Sequence, residues 1–167
     1  SAGAVLGKQT VINYVGYMMD SYMLFTLQNY AAKLVEKETS PKYYFMDTGL
    51  LGLMLMDCSS AQLENLVAIE LIRRYGRENV FYFEKNVEID FYVPEEKLAI
   101  QVSLQVLDQI DTREREIGAF VKLKNFIGDA TCLLITNSEE EELDYEGVHV
   151  SVVPVWKWLL QNRKQDI

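Results

Sequence analysis

Apolar and polar positions alternate with period two in two neighbouring stretches, 88–93 and 98–103, which is the pattern of half-buried strands. Between them Pro94, Glu95, Glu96 and Lys97 form a polar break whose proline cannot donate to a ladder, so the pair predicts an antiparallel hairpin. Folding about Glu95 and Glu96 sets Val93 opposite Leu98, Phe91 opposite Ile100 and Ile89 opposite Val102 on one apolar face, with Asp90 opposite Gln101 on the other. A slip of one residue would scatter this apolar set, so the pattern specifies its own register.

Upstream, Thr10 reads as a helix N-cap, and Val11, Tyr14, Val15, Met18 and Tyr22 recur at helical spacing behind it. Residues 23–27 and 42–46 read as two short strands. Their polar connection contains Lys33, Glu36, Lys37, Glu38, Thr39, Ser40 and Pro41, and 31–37 fits either helix or strand. A helix followed by two strands is the pattern of a partial winged helix, and with the apolar helix or linker at 50–56 it suggests a first region at 1–57. The remainder, 58–167, reads as an α/β domain. Leu63, Leu66, Val67, Leu71 and Tyr75 mark its first helix, stopped by Gly76 among Arg73, Arg74 and Arg77, cations suited to a helix C-terminus.

A strand at 80–84 precedes the hairpin, and Asp111 with Glu114 predicts the capped start of a second helix with Ile117, Phe120, Val121 and Lys124 on one face. The apolar run 131–136 has the composition of a strand buried on both faces. Because it follows a crossover, it is expected to run parallel to a neighbour in a mixed sheet. The acidic run 139–142 reads as a solvated loop, 148–153 as the last strand, and Pro154 as the opening of a helix holding Trp156, Trp158 and Leu159.

Composition narrows the functions. The formal net charge of −9 repels polyphosphate as a whole-molecule field, so any nucleic-acid contact has to be local. Cys58 and Cys132 lie in no metal-ligand spacing and read as two free thiols of a reducing compartment. With no run of about twenty apolar residues and no signal-peptide pattern at Ser1-Ala2-Gly3, a cytoplasmic location without membrane contact is expected. The small-residue start reads as a truncation point or a remnant, with other domains absent from the sequence. The stretch Gly3 to Thr10 imitates a phosphate loop and fails it: the glycine spacing is one residue short, and Gln9 stands where Ser or Thr must follow the lysine. His149, the single histidine, has no second ligand nearby and reads as structural.

The hairpin resembles the PD-(D/E)XK nuclease superfamily, in which an Asp on one strand and an acid-x-Lys on the next hold a divalent metal and activate water. The resemblance implies a restriction-endonuclease-like fold, a mixed sheet flanked by helices. Carried over residue by residue, it makes Asp90 the central metal-binding acid, Glu64 the helical acid, Gln101 the occupant of the second-acid position and Ser103 the occupant of the lysine position. Over nearly its whole length the chain is similar to the C-terminal portion of bacterial and archaeal AAA+ type ATPases: the tail of a winged helix followed by a domain of unknown function. The matching stretches are 10–14, 42–50, 63–67, 88–91, 100–102, Thr112 with Arg115 and Glu116, and Val153 with Pro154.

Phosphodiester hydrolysis needs a hard cation on oxygen ligands, commonly carboxylates. A Gln brings one neutral oxygen, and a Ser cannot steady developing negative charge as a lysine does. The resemblance therefore implies a degenerate site at Asp90, Gln101 and Ser103, inactive as a catalyst. No cofactor is expected, or Mg²⁺ held by Glu64, Asp90 and Gln101 if the site is functional. Each of these residues also has a plainer reading: Asp90 as a solvent-facing acid, Glu64 as a structural ion-pair member, Gln101 and Ser103 as local hydrogen-bonding sheet residues, and Arg113, Arg115 and Glu116 as a solvated or ion-paired helix face. The expected role is a non-catalytic binding or regulatory module that contacts an ATPase core or another protein. A weak Mg²⁺-dependent nuclease and a winged-helix DNA-binding module are the alternatives.

Overall fold

A computed structural model describes residues 7–33, 40–54, 59–107 and 110–161. Expectations that fall on Gly3 to Leu6, on Glu36 to Thr39, on Leu55 and Met56 and on Cys58 lie outside the described residues. In chain order the elements are α1 (Lys8–Asp20), β1 (Leu24–Asn29), α2 (Tyr30–Lys33), β2 (Lys42–Phe45), α3 (Gly49–Met54), α4 (Ser59–Tyr75), β3 (Phe81–Glu84), β4 (Glu88–Val93) and β5 (Leu98–Val102). Then follow α5 (Ile110–Ile127), β6 (Thr131–Thr136), β7 (Glu141–Tyr145), β8 (Val148–Pro154) and α6 (Val155–Gln161).

Eight strands form one mixed sheet in the order β2-β1-β3-β4-β5-β6-β8-β7. β3, β4 and β5 make an antiparallel meander, and β5, β6 and β8 run parallel, as the crossover through α5 requires. The hairpin register is the expected one where the ladder runs, with Phe91 pairing Ile100 and Val93 pairing Leu98, but the ladder does not extend to the expected pair of Ile89 with Val102. β6 is apolar on both faces because both are covered. Cys132 and Leu134 join the cluster under α5 with Ile117, Phe120 and Leu123, while Leu133 and Ile135 face Val67 and Leu71 of α4 and Trp158 of α6. Burying each such Leu, Ile, Val or Phe contributes about 1.5–3 kcal/mol.

Three readings change. The strands read as a wing pair with each other antiparallel, but β1 also runs parallel to β3 through Gln28 opposite Phe81. They are therefore the edge of the main sheet, and Phe25, Leu27 and Tyr44 share one core with Val67, Leu71 and Phe91. The acidic run read as a loop contributes to β7, which pairs β8 across the two-residue turn Glu146-Gly147. Positive φ at both turn residues, 48° and 77°, gives this tight turn the twist of the flanking strands. Helix starts also shift: Gly7, without a side-chain cap, precedes α1, so Thr10 lies inside the helix, and Asp111 lies in the first turn of α5.

Amide side chains tie the sheet edge to its neighbours. Buried Asn65 of α4 accepts from the Phe45 N–H at 2.7 Å and donates to the Phe45 carbonyl at 3.0 Å. Asn29 does the same for Glu84, accepting at 3.1 Å and donating at 2.9 Å. Each supplies both hydrogen-bonding partners to one residue's backbone N–H and C=O. α6 is pinned to α4 by Arg74, which bonds Glu70 at 2.7 Å, lies 4.1 Å from the Trp158 ring centroid and donates to the Trp158 carbonyl.

Candidate functional site

β4 is irregular where its acid lies. Phe81 faces Tyr92, but Phe83 faces Ile89, so Asp90 and Phe91 together oppose Tyr82 alone. That is a β-bulge, which bends a strand and re-aims its side chains. It corrects one expectation: Ile89 packs in the α5 cluster with Tyr92 and Ala99, whereas Phe91 and Val93 pack with Ile100 on the α4 side. Strict alternation put Ile89 beside Phe91, and an inserted residue reverses every position beyond it.

Beyond the Phe91–Ile100 pair, side chains take over the link between β4 and β5. The Asp90 N–H donates to Gln101 Oε1 at 2.9 Å, Gln101 Nε2 donates to the Glu88 carbonyl at 3.1 Å, and the Val102 N–H donates to Asp90 Oδ2 at 2.9 Å. Asp90 and Gln101 are thus neighbours, as the register predicts, but through an exchange of side-chain and backbone bonds. Gln101 is buried and its amide bridges two backbone groups of β4. Ser103 is set apart: its hydroxyl donates to the Gln105 carbonyl and its N–H to Ile135, and it does not line the cleft.

A cleft of about 400 Å³ opens here between the mouth of the hairpin and α5. Glu64, Glu88, Asp90 and Gln101 form one side, and Arg115, Glu116 and Lys122 form the other. The Arg115 guanidinium pairs with buried Glu116 at 2.6 Å. Glu64 Oε1 accepts the Tyr44 hydroxyl at 2.8 Å. The cation beside Glu88 and Asp90 is one the sequence reading missed. Lys42 of β2 places its ammonium 2.7 Å from Glu88 Oε1 and 3.5 Å from Asp90 Oδ1. Residues 42 and 44 alternate along β2, so both point to one face of the strand. That spacing was visible, but the cross-sheet approach of an edge strand to Asp90 was not.

Burial, then the nearby Glu64 charge, push the Asp90 carboxyl up to about 7, with Lys42 and the Val102 N–H acting the other way. Burial pulls Lys42 down, but the Glu88 hydrogen bond and the Asp90 and Glu64 charges outweigh it and hold the ammonium above its ordinary value. Tyr44 is raised by burial and by the charge of Glu64, so it remains a neutral donor.

A hard divalent cation needs several oxygens free to converge on it. Here Gln101 Oε1 is bonded to backbone, and the space between Glu88 and Asp90 holds the Lys42 ammonium. Among the described residues no group of three or more His, Cys, Asp or Glu side chains is arranged to hold a metal ion. Each member of the set Glu64, Asp90 and Gln101 thus already has a protein partner: the Tyr44 hydroxyl on Glu64, Lys42 and the Val102 N–H on Asp90, and the Asp90 N–H on Gln101.

Fold and site together define a mixed α/β protein with a charge-paired cleft at a bulged hairpin. Residues 2–62 match the model of a domain of unknown function, DUF8612. The chain is also 32% identical over 165 residues to "Uncharacterized protein MJ1544" of Methanocaldococcus jannaschii, a match covering 93% of this chain. The chain spans only 37% of the length of that relative. No solved structure matches. No helix among the described residues is long and apolar enough to cross a membrane.

Proposed function

We propose that this chain is a non-catalytic binding or regulatory module of a longer protein, built on a nuclease-like α/β scaffold. One observation carries the reading: the Gln101 amide is bonded to the Asp90 N–H and the Glu88 carbonyl, so the position that the nuclease resemblance assigns to a second acid serves the backbone. The greater length of the archaeal relative supports a setting within a larger polypeptide. On the sequence resemblance we read that polypeptide as an AAA+ type ATPase, with its ATPase core or another protein as the contact, and its location as the cytoplasm expected from the sequence pattern. A buried free thiol at Cys132 is compatible with that compartment.

Incubation with single- and double-stranded DNA and RNA in Mg²⁺ or Mn²⁺ tests the non-catalytic claim. Cleavage at the background rate is expected. Cleavage by the wild-type chain that disappears in Asp90→Asn would replace this reading with a weak metal-dependent nuclease.

A further inference from the structure

We infer that Lys42 is the built-in cation of the Asp90 cleft, an ammonium delivered from the edge strand that neutralises Glu88 and Asp90 and excludes a divalent ion. The inference goes beyond the proposed function, since it holds whatever partner the module contacts.

The geometry of β2 carries it. Tyr44 is fixed first: its ring lies 5.6 Å from Phe25 and 5.7 Å from Phe91, and its hydroxyl reaches Glu64. Two residues earlier on the same face, Lys42 passes the Tyr82 ring, with its ammonium 5.4 Å from the ring centroid, and reaches Glu88 and Asp90. One strand thus supplies a donor to Glu64 of α4 and to both Glu88 and Asp90 of β4. The Lys42 side chain is only 26% exposed and Asp90 17%, so water screens the pair weakly and a second cation beside the ammonium would meet strong repulsion. Lys42 acts as a positioning residue. It holds the carboxylate whose other oxygen takes the Val102 N–H, and so keeps the β4–β5 mouth in register.

Two measurements on the purified chain at pH 8 test this. Calorimetric titration of wild type with MnCl₂ is expected to show no saturable binding. In denaturant melts Lys42→Met, which keeps the stem over Tyr82 and removes the charge, is expected to lower the folding equilibrium constant roughly ten-fold. Lys42→Arg is expected to retain most of it, and adding Asp90→Asn to Lys42→Met should recover most of the loss. A side chain that mattered only for packing would show no recovery. Should Lys42→Met fail to fold, a folded Lys42→Met/Asp90→Asn chain supports the inference and an unfolded one overturns it. Saturable Mn²⁺ binding by wild type that Asp90→Asn abolishes also overturns it, as does a Lys42→Met chain as stable as wild type.

Discussion

At the scale of single residues, the cleft is a problem in charge placement. Asp90 sits on a bulge with Glu64 nearby and Lys42 as its counter-ion, and its carboxyl is raised to about 7 by burial and by the Glu64 charge. A carboxyl raised on folding binds its proton more tightly in the native state. Its stabilising contribution is therefore full below the unfolded value, about 4, and is lost as pH rises through about 7. Asp90→Asn keeps an oxygen for the Val102 N–H and removes the ionisation. Its stability relative to wild type should therefore increase between about pH 4 and pH 7 and be level on either side. Chemical denaturation across that range measures it; a difference that does not change with pH would mean that Asp90 titrates normally.

At the scale of elements, the sheet depends on two cores joined by β4, β5 and β6. Phe91 is fully buried on the α4 side and Ile117 is 2% exposed under α5. Phe91→Ala and Ile117→Ala are each expected to cost about 2–5 kcal/mol, read as a shift in denaturation midpoint at constant slope. A loss below about 1 kcal/mol at either site would mean that its core collapses around the gap. The hairpin and β6 were legible because burial on one or two faces leaves a pattern in the residues themselves. The bulge was not, since an inserted residue keeps the same alternating letters and changes only what they face. β7 was hidden because only Leu143 of that strand is buried and the remaining residues are exposed or half-buried acids and Tyr145. The parallel pairing of β1 with β3 joins segments far apart in the chain, for which local periodicity carries no signal. For the same reason, Asp90 and Gln101 could be paired from sequence, whereas Lys42 could not be added to them.

At the scale of the whole molecule, the net charge of −9 gives a polyanion little reason to approach. Helix α1 has no buried residue, with Ile12 51% and Tyr17 64% exposed. The molecule thus presents a charge-paired cleft and an exposed apolar helix face, which supports the binding-module reading proposed above. That account turns on Gln101 being part of the backbone network and not a neutral substitute for a metal ligand. Gln101→Glu decides between the two, because it replaces the donor to the Glu88 carbonyl with a second buried acceptor beside Asp90. Denaturation of this variant with and without Mn²⁺ is the most direct measurement. The account predicts a loss of about 1–3 kcal/mol that Mn²⁺ does not restore; a variant as stable as wild type that binds Mn²⁺ saturably would contradict it.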